Sequence, residues 1–276
     1  MMAISSALGD LYPGALPPIM LFHVPHSSVL VPEDIHQQFS VSQEELEHEL
    51  LLMTDWLTEE LYASDVPLTS VVTAQVSRLV VDVERHLVGD EMEECGMGVI
   101  YFSTSNGRQL RRPLSDQERE HLLATYYEPH HTRFTRQVDQ ILESYGVCLI
   151  IDCHSFASHK LPYERQKSEN RPDLCIGLDE FHTPEFVANV LVNSFVGSGY
   201  SVALNNPFAG SITPTKYFRD RRLLSVMIEV NRKLYLDENT GMANRNFEEV
   251  SRCIRSACQE AGWEVVRRQL QTDPAP

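Results

Sequence analysis

The chain has 276 residues, with 39 acidic against 23 basic side chains and a formal net charge of −16. So negative a chain is repelled by phosphate backbones and anionic membrane surfaces, which excludes nucleic acid and membrane as partners. An anionic small molecule remains acceptable where arginines create a local positive pocket. No composition shift, linker or repeat divides the sequence, so residues 1–276 read as one catalytic domain with about 19–262 as its compact core.

The first element is a buried strand, Ile19 to Val24, leading into Pro25-His26-Ser27-Ser28. A helix follows from about Ser42 to Ala63, opened by a capping box of Ser42 and Glu45. Two strands are expected next, Thr69 to Gln75 and Leu79 to Glu84. A long helix starts at Ser115, where Glu118 completes a second capping box, and runs towards Tyr145; Pro129 should kink or divide it. Gly146 stops it, and a second buried strand, Val147 to His154, begins. The polar stretch from Phe156 to Arg171 has no period and reads as a surface loop, a candidate lid. Thr183-Pro184 opens a helix to about Val196, followed by a strand at Tyr200 to Leu204 and an irregular segment, Asn205 to Thr213. A third buried strand, Leu224 to Val230, precedes a last helix from about Asn246 to Ala261, and 271–276 should be a frayed tail. Strands alternating with helices predict an α/β fold: a single three-layer α/β/α domain with a mixed central sheet.

No basic region leads into an apolar stretch, and prolines break the Leu16-to-Val31 segment. Neither a signal peptide nor a membrane span is therefore expected, and the cytoplasm is the expected compartment. The six cysteines form no Cys-x-x-Cys pair and are expected to be reduced packing residues. Phosphate-cradling loops, dinucleotide fingerprints and the Gly-x-Ser-x-Gly elbow are all missing, which sets aside nucleotide and serine-hydrolase chemistry.

The chemistry-bearing residues gather at strand ends. His26 and His154 both follow apolar strands, and ligands of open α/β sheets bind at that edge, so the two imidazoles can share one metal. A lone histidine at a strand end is more often a hydrogen-bonded structural residue; the conjunction with Glu229 raises the case. A carboxylate inside Val-Met-Ile-Glu-Val needs a metal, a water or an arginine to offset its burial, and burial raises its pKa towards that of a general base. Arg232 is its simplest ion-pair partner. Asp55 lies on the helix beside Trp56, where a solvated charge is the plain reading. Cys153 and His154, as strand neighbours, face opposite sides and make no dyad. Arg111-Arg112 and Arg221-Arg222 read as surface counter-charges. Arg78 and Arg85 flank the Leu-Val-Val-Asp-Val-Glu strand and are better placed to clamp a substrate carboxylate, and Asp82 on that strand can orient a histidine or hold an arginine.

An ordered series of short motifs then resembles the N-formylglutamate amidohydrolase family. The pieces are Val24-Pro-His-Ser27, Thr54-Asp-Trp56, Ser77-Arg-Leu-Val-Val-Asp82 with Arg85, Pro129-His-His131, Asp152-Cys-His-Ser155, Arg171-Pro-Asp-Leu174, Asn206 with Phe208-Ala-Gly210 and Thr213, and Ile228-Glu-Val-Asn-Arg-Lys-Leu-Tyr235. The resemblance implies a zinc carboxypeptidase-like fold and one catalytic zinc held by His26, Asp55 and His154, with Glu229 as general base. It also implies Arg78 at the developing oxyanion, and Arg85, Asp82, His131, Asn206 and Thr213 as substrate contacts. The implied reaction is hydrolysis of a small anionic amide, an N-formyl or N-acyl amino acid such as N-formylglutamate. Two alternatives stay open: another zinc carboxypeptidase-like hydrolase of a small amide or peptide, and a non-catalytic small-acid-binding protein on the same fold. Three motifs depart from the family's usual form, which reads Pro-His-Ser-Gly, Asp-Leu-Asn-Arg and Phe-Lys-Gly-Gly-Tyr-Ile-Thr-Arg where this chain has Pro-His-Ser-Ser, Asp-Val-Glu-Arg and Phe-Ala-Gly-Ser-Ile-Thr-Pro-Thr. The last two touch the expected substrate pocket.

Overall fold

Three apolar runs that no polar face interrupts form the centre of the fold. In the computed structural model, which describes residues 16–272 apart from 65, 68–69 and 165–170, these runs become β1 (Met20–Val24), β3 (Cys148–Phe156) and β6 (Leu223–Asn231). They are covered on both faces, as parallel strands must be. Three shorter strands, β2 (Val71–Thr73), β4 (Leu174–Gly177) and β5 (Val202–Leu204), complete a six-stranded sheet in the order β2-β1-β3-β6-β4-β5. All neighbouring pairs are parallel except β4 with β6. The expected mixed α/β sheet is therefore present in a single domain.

Six helices of six or more residues are described, α1 (Gln43–Met53), α2 (Thr58–Ala63), α3 (Asp116–Leu122), α4 (Glu128–Tyr145), α5 (Glu185–Gly197) and α6 (Phe247–Thr272), and of these α2, α4, α5 and α6 pack against the sheet. Alternation along β1 sends Met20 to α6, where a side chain on Gly262 would strike its sulfur, and His23 to the opposite face, where it stacks on Phe134 of α4. Helix α6 also packs along α2 and α5, which puts these three on one face of the sheet and α4 on the other. No described helix is long and apolar enough to cross a membrane. All six cysteines are unpaired.

Several expectations are corrected. The helix expected over Ser42 to Ala63 is two helices, because Leu57 adopts a left-handed conformation (φ 60°) and the chain turns at Thr54–Leu57. Asp55 thus sits in the break, only 2 % exposed, and is no solvated helix charge. The strand expected from Thr69 to Gln75 shrinks to β2; Thr69 itself lies outside the described residues. Leu79 to Glu84 is no strand at all but a buried run of turns beyond the sheet edge. Near Pro129 the helix is divided as expected, though through a π-helical turn: α3 leads into Leu123–Tyr127, and α4 begins with the proline in its first turn. Strand β4 falls in a stretch to which the sequence pattern assigns no element. The last helix runs to Thr272 rather than Ala261, and 273–276 lie outside the described residues.

The 79–84 run has no ladder to satisfy its carbonyls, and a buried arginine does it instead. Arg111 is 1 % exposed, not a surface charge; it donates from Nη2 to the carbonyls of Leu79 (2.7 Å) and Val80 (3.3 Å) and from Nη1 to Gln38. Its guanidinium also lies 5.0 Å from the Phe39 ring centroid. Arg111→Met should destabilise the protein by about 2–4 kcal/mol, because the two carbonyls would be left buried and unpaired. Denaturant unfolding of the two proteins measures the difference, and a loss below 1 kcal/mol would contradict this role.

Candidate metal and active site

Strand ends and the two irregular segments beside them converge on one cavity of about 740 Å³. Its lining includes His26, Asp55, Arg78, Glu84, Arg85, His154, Glu229 and Arg232. His154 and Glu229 are register partners on β3 and β6, so the sheet itself sets them side by side. His26 is two residues past β1, and the Asp55 backbone N–H donates to the His26 carbonyl at 3.0 Å, which joins the α1–α2 break to the strand end.

Around the two imidazoles the carboxylates are arranged in order. His26 donates from Nε2 to Asp82 at 2.8 Å, leaving Nδ1 buried and without a hydrogen-bond partner; Asp55 and Glu84 oxygens each lie 3.7 Å from it. His154 has Asp55 at 3.0 Å from Nδ1, with Glu84 at 3.1 Å and Asp152 at 3.3 Å from Nε2. Ligand atoms of His26, Glu84 and His154 lie within 4.8 Å of one another, as do those of His23, Glu84 and Asp152, and either group can hold a metal ion. Two imidazoles with carboxylate oxygens form a donor set that suits zinc.

Buried charge is compensated on both flanks. Asp55 also accepts from Arg232 Nη2 at 3.0 Å, and Asp82 accepts from Arg78 at 3.0 Å and from the Tyr101 hydroxyl at 2.6 Å. Burial opposes ionisation of both carboxyls, but the neighbouring histidines and arginines hold each well below the usual carboxylate range. Burial likewise opposes a charge on His154, yet Glu84 and Asp152 carry it well above the usual histidine value. On the far side of Asp152, His23 donates from Nδ1 at 2.9 Å; its Nε2 is then an acceptor for His130 at 3.0 Å.

Glu229 is the exception. It is 6 % exposed, its Oε2 has no hydrogen-bond partner, and Arg232, its expected partner, is committed to Asp55. Desolvation first, then the charges of Asp55 and Glu84, push its carboxyl up to about 8. The remaining residues singled out in the sequence are spread more widely. Arg78 and Arg85 line the cavity, and Asp82 lies behind it holding His26, Arg78 and, at 3.5 Å, Arg85. His131 and Thr213 line a neighbouring cavity that shares Glu84, Arg85 and His86 with the first. Asn206 lines neither, although Pro207 and Phe208 form part of the first wall. Glu84, Asp152 and the Arg232 clamp were not singled out. For Glu84 the available signal was its place two residues after Asp82, which an assumed strand would have turned to the same face.

In metal-free protein the raised Glu229 carboxyl makes stability depend on pH. The unfolded chain loses this proton near 4.5 and the folded chain near 8, so between these values the unfolded state binds fewer protons and folding weakens as pH rises. Glu229→Gln lacks the effect. Its stability advantage over the metal-free parent should grow from near zero at pH 4.5 by up to about 1.4 kcal/mol per pH unit, then level off above pH 8. Thermal melts across this range check it; an advantage that does not change with pH would contradict it.

Comparison with known proteins gives the family. Residues 19–236 match the family model of N-formylglutamate amidohydrolase. A relative from Pseudomonas putida, an N-formylglutamate deformylase, is 28 % identical over 195 residues, covering 67 % of this chain and 71 % of the relative. Among solved structures, an N-formylglutamate amidohydrolase from Ralstonia eutropha JMP134 superposes with a TM-score of 0.79 at 24 % identity, covering 92 % of this chain and 95 % of that one. A gene product from Agrobacterium tumefaciens gives 0.66 at 17 % identity, covering 91 % and 93 %, and both structures bear on the fold alone. The motif order, the shared sheet and the family match lead to one conclusion: the chain belongs to the N-formylglutamate amidohydrolase family and is a hydrolase acting on an amide.

Proposed function

We propose that the protein is a zinc-dependent amidohydrolase that cleaves the amide of an N-formyl or N-acyl amino acid, the class to which N-formylglutamate belongs. The observation that carries the reading is Glu229: a buried, unpartnered carboxyl placed by strand register beside His154, at the mouth of a cluster of imidazoles and carboxylates. His26 and His154 would hold the ion through Nδ1, with Asp55 as the third protein ligand. Asp55 is taken as the third ligand because its Oδ2 lies 3.0 Å from His154 Nδ1 and 3.7 Å from His26 Nδ1; Asp82 behind His26 Nε2, and Glu84 and Asp152 beside His154 Nε2, are then the outer carboxylates that orient the two histidines.

Zinc, when bound, lowers the pKa of a water and polarises a carbonyl. The chain supplies the rest. Glu229, ionised beside a bound cation, takes a proton from the attacking water and returns it to the amide nitrogen as the C–N bond breaks, yielding the carboxylic acid and the free amino acid. Arg78, fixed by Asp82 and Tyr101, is aligned to donate to the developing oxyanion. Arg85 is set to hold the substrate carboxylate.

Metal content and turnover test the reading together. Glu229→Gln should retain near-stoichiometric zinc and lose at least about 100-fold in kcat on an N-formyl amino acid. His26→Ala, His154→Ala and Asp55→Ala should lose the metal, whereas Glu84→Ala should keep it. A parent protein that takes up no metal on zinc reconstitution would reject the mechanism, and a Glu229→Gln protein as active as the parent would reject its general base.

A further inference from the structure

The hydrogen bonds of the site continue past its outer carboxylates. Parallel register puts His23 of β1 directly beside Asp152 of β3, and alternation along β3 turns Asp152 and His154 to the same face of the sheet. Asp152 is 1 % exposed and is held from three directions: His23 Nδ1 lies 2.9 Å and His154 Nε2 3.3 Å from its Oδ1, and the Ile212 backbone N–H donates to its Oδ2 at 3.2 Å. Glu84, the other carboxylate beside His154 Nε2, has a side chain 16 % exposed and lines the open cavity. Of the two, Asp152 is the one built into the core.

Helix α4 holds His23 in turn. His130 and Phe134 stand one turn apart on one face of α4. Phe134 stacks on the His23 ring, with centroids 4.5 Å apart and planes inclined by 16°, and His130 Nε2 lies 3.0 Å from His23 Nε2. The protons on this pair are not interchangeable. A carboxylate only accepts, so the bond to Asp152 uses an Nδ1–H of His23, and the Nε2 of the neutral ring is left as an acceptor. His130 must then donate from Nε2, which leaves a bare lone pair on its Nδ1; that atom is buried and has no hydrogen-bond partner among the described residues. Burial first, then the neighbouring His23 and His131, hold the His130 pKa well below the usual histidine value and keep the ring neutral.

We infer that His23 and His130 are positioning residues of the metal site: a one-way chain of N–H donors, His130 to His23 to Asp152, fixes the carboxylate that keeps the proton of His154 on Nε2 and so presents its Nδ1 to the ion. The inference rests on the metal-site reading and deepens it. His23 serves through Asp152 rather than as a ligand of its own, because its Nδ1 is committed to Asp152 and its Nε2 to His130. An imidazole whose second nitrogen donates to a fixed carboxylate is a more basic and better-oriented ligand, and removing such outer partners costs about 10–100-fold in metal affinity or activity. Without His23, Asp152 keeps the Ile212 N–H but loses the donor that positions Oδ1. His154 is then able to adopt its other tautomer, which has no lone pair on Nδ1.

Zinc affinity, measured by chelator competition on the full-length metal-free protein, tests the chain together with histidine tautomers read by NMR of nitrogen-labelled protein. His23→Leu should weaken zinc binding about 10–100-fold. His23→Asn, whose side-chain amide still donates to Asp152 from near the Nδ1 position, should recover most of that loss. His130→Leu should weaken zinc by a smaller factor, since it leaves the bond between His23 and Asp152. In the zinc-loaded parent His23 should carry its proton on Nδ1, and His130 and His154 theirs on Nε2. A merely structural pair would lower the melting temperature of these variants and leave the zinc affinity of the folded protein unchanged. Zinc affinity of His23→Leu within about threefold of the parent, or no recovery in His23→Asn, overturns the inference and leaves the metal-site reading standing. Where His23→Leu does not fold, a proton found on His23 Nε2 or His130 Nδ1 in the parent overturns it by itself. A parent that binds no zinc overturns both.

Discussion

Compensation of buried charge is the constraint on which this site depends. Asp55 and Asp82 are almost fully removed from water, and an isolated carboxylate there is prohibitively unfavourable. Each is therefore surrounded by cations and donors: Asp55 by Arg232, His154 and the Ser155 amide, Asp82 by His26, Arg78 and Tyr101. These contacts tie the end of β1, the α1–α2 break, the 78–85 turns, the end of β3 and the residue after β6 into one unit. The sheet ladder fixes the ends of β1, β3 and β6 relative to one another, and the charge network adds the α1–α2 break and the 78–85 turns to them.

The same logic singles out Glu229 from the opposite direction. Every other buried carboxylate near it has at least one partner, and its own Oε2 has none. A group left this way is a place where an ion, a water or a substrate completes the structure. The uncompensated carboxyl and the unpartnered Nδ1 of His26 lie in the same cavity, and the proposed chemistry is the simplest use of both. Rigid support is also in place, since His154 and Glu229 are on the two most central strands and Tyr62 donates to the backbone carbonyls of His154 and Ile228 from the helix layer.

The central strands and the capped helix starts were legible because they depend on local rules. Long apolar runs become buried strands, and a serine followed three residues later by glutamate caps a helix, as at Ser42 and Ser115. The placement of His26 and His154 at one sheet edge followed from the same runs. Local rules failed where a distant partner overrides them. Leu79 to Glu84 has the composition of a strand, but Arg111, from thirty residues further on, takes its carbonyls and holds it as turns. Asp55 looked like a helix charge because nothing nearby in sequence announces Arg232. Arg111 looked like a surface charge for the same reason.

The sequence by itself determined the class of fold, the strands that end in histidines, the family motifs and the need of Glu229 for a partner. Each depends on composition, period or spacing within a few residues. Tertiary structure alone decided that Arg232 serves Asp55 rather than Glu229 and that Glu84 faces both imidazoles. Those outcomes are set by which charges meet once the sheet has formed, and pairings between residues tens to nearly two hundred positions apart leave no periodic trace in the chain.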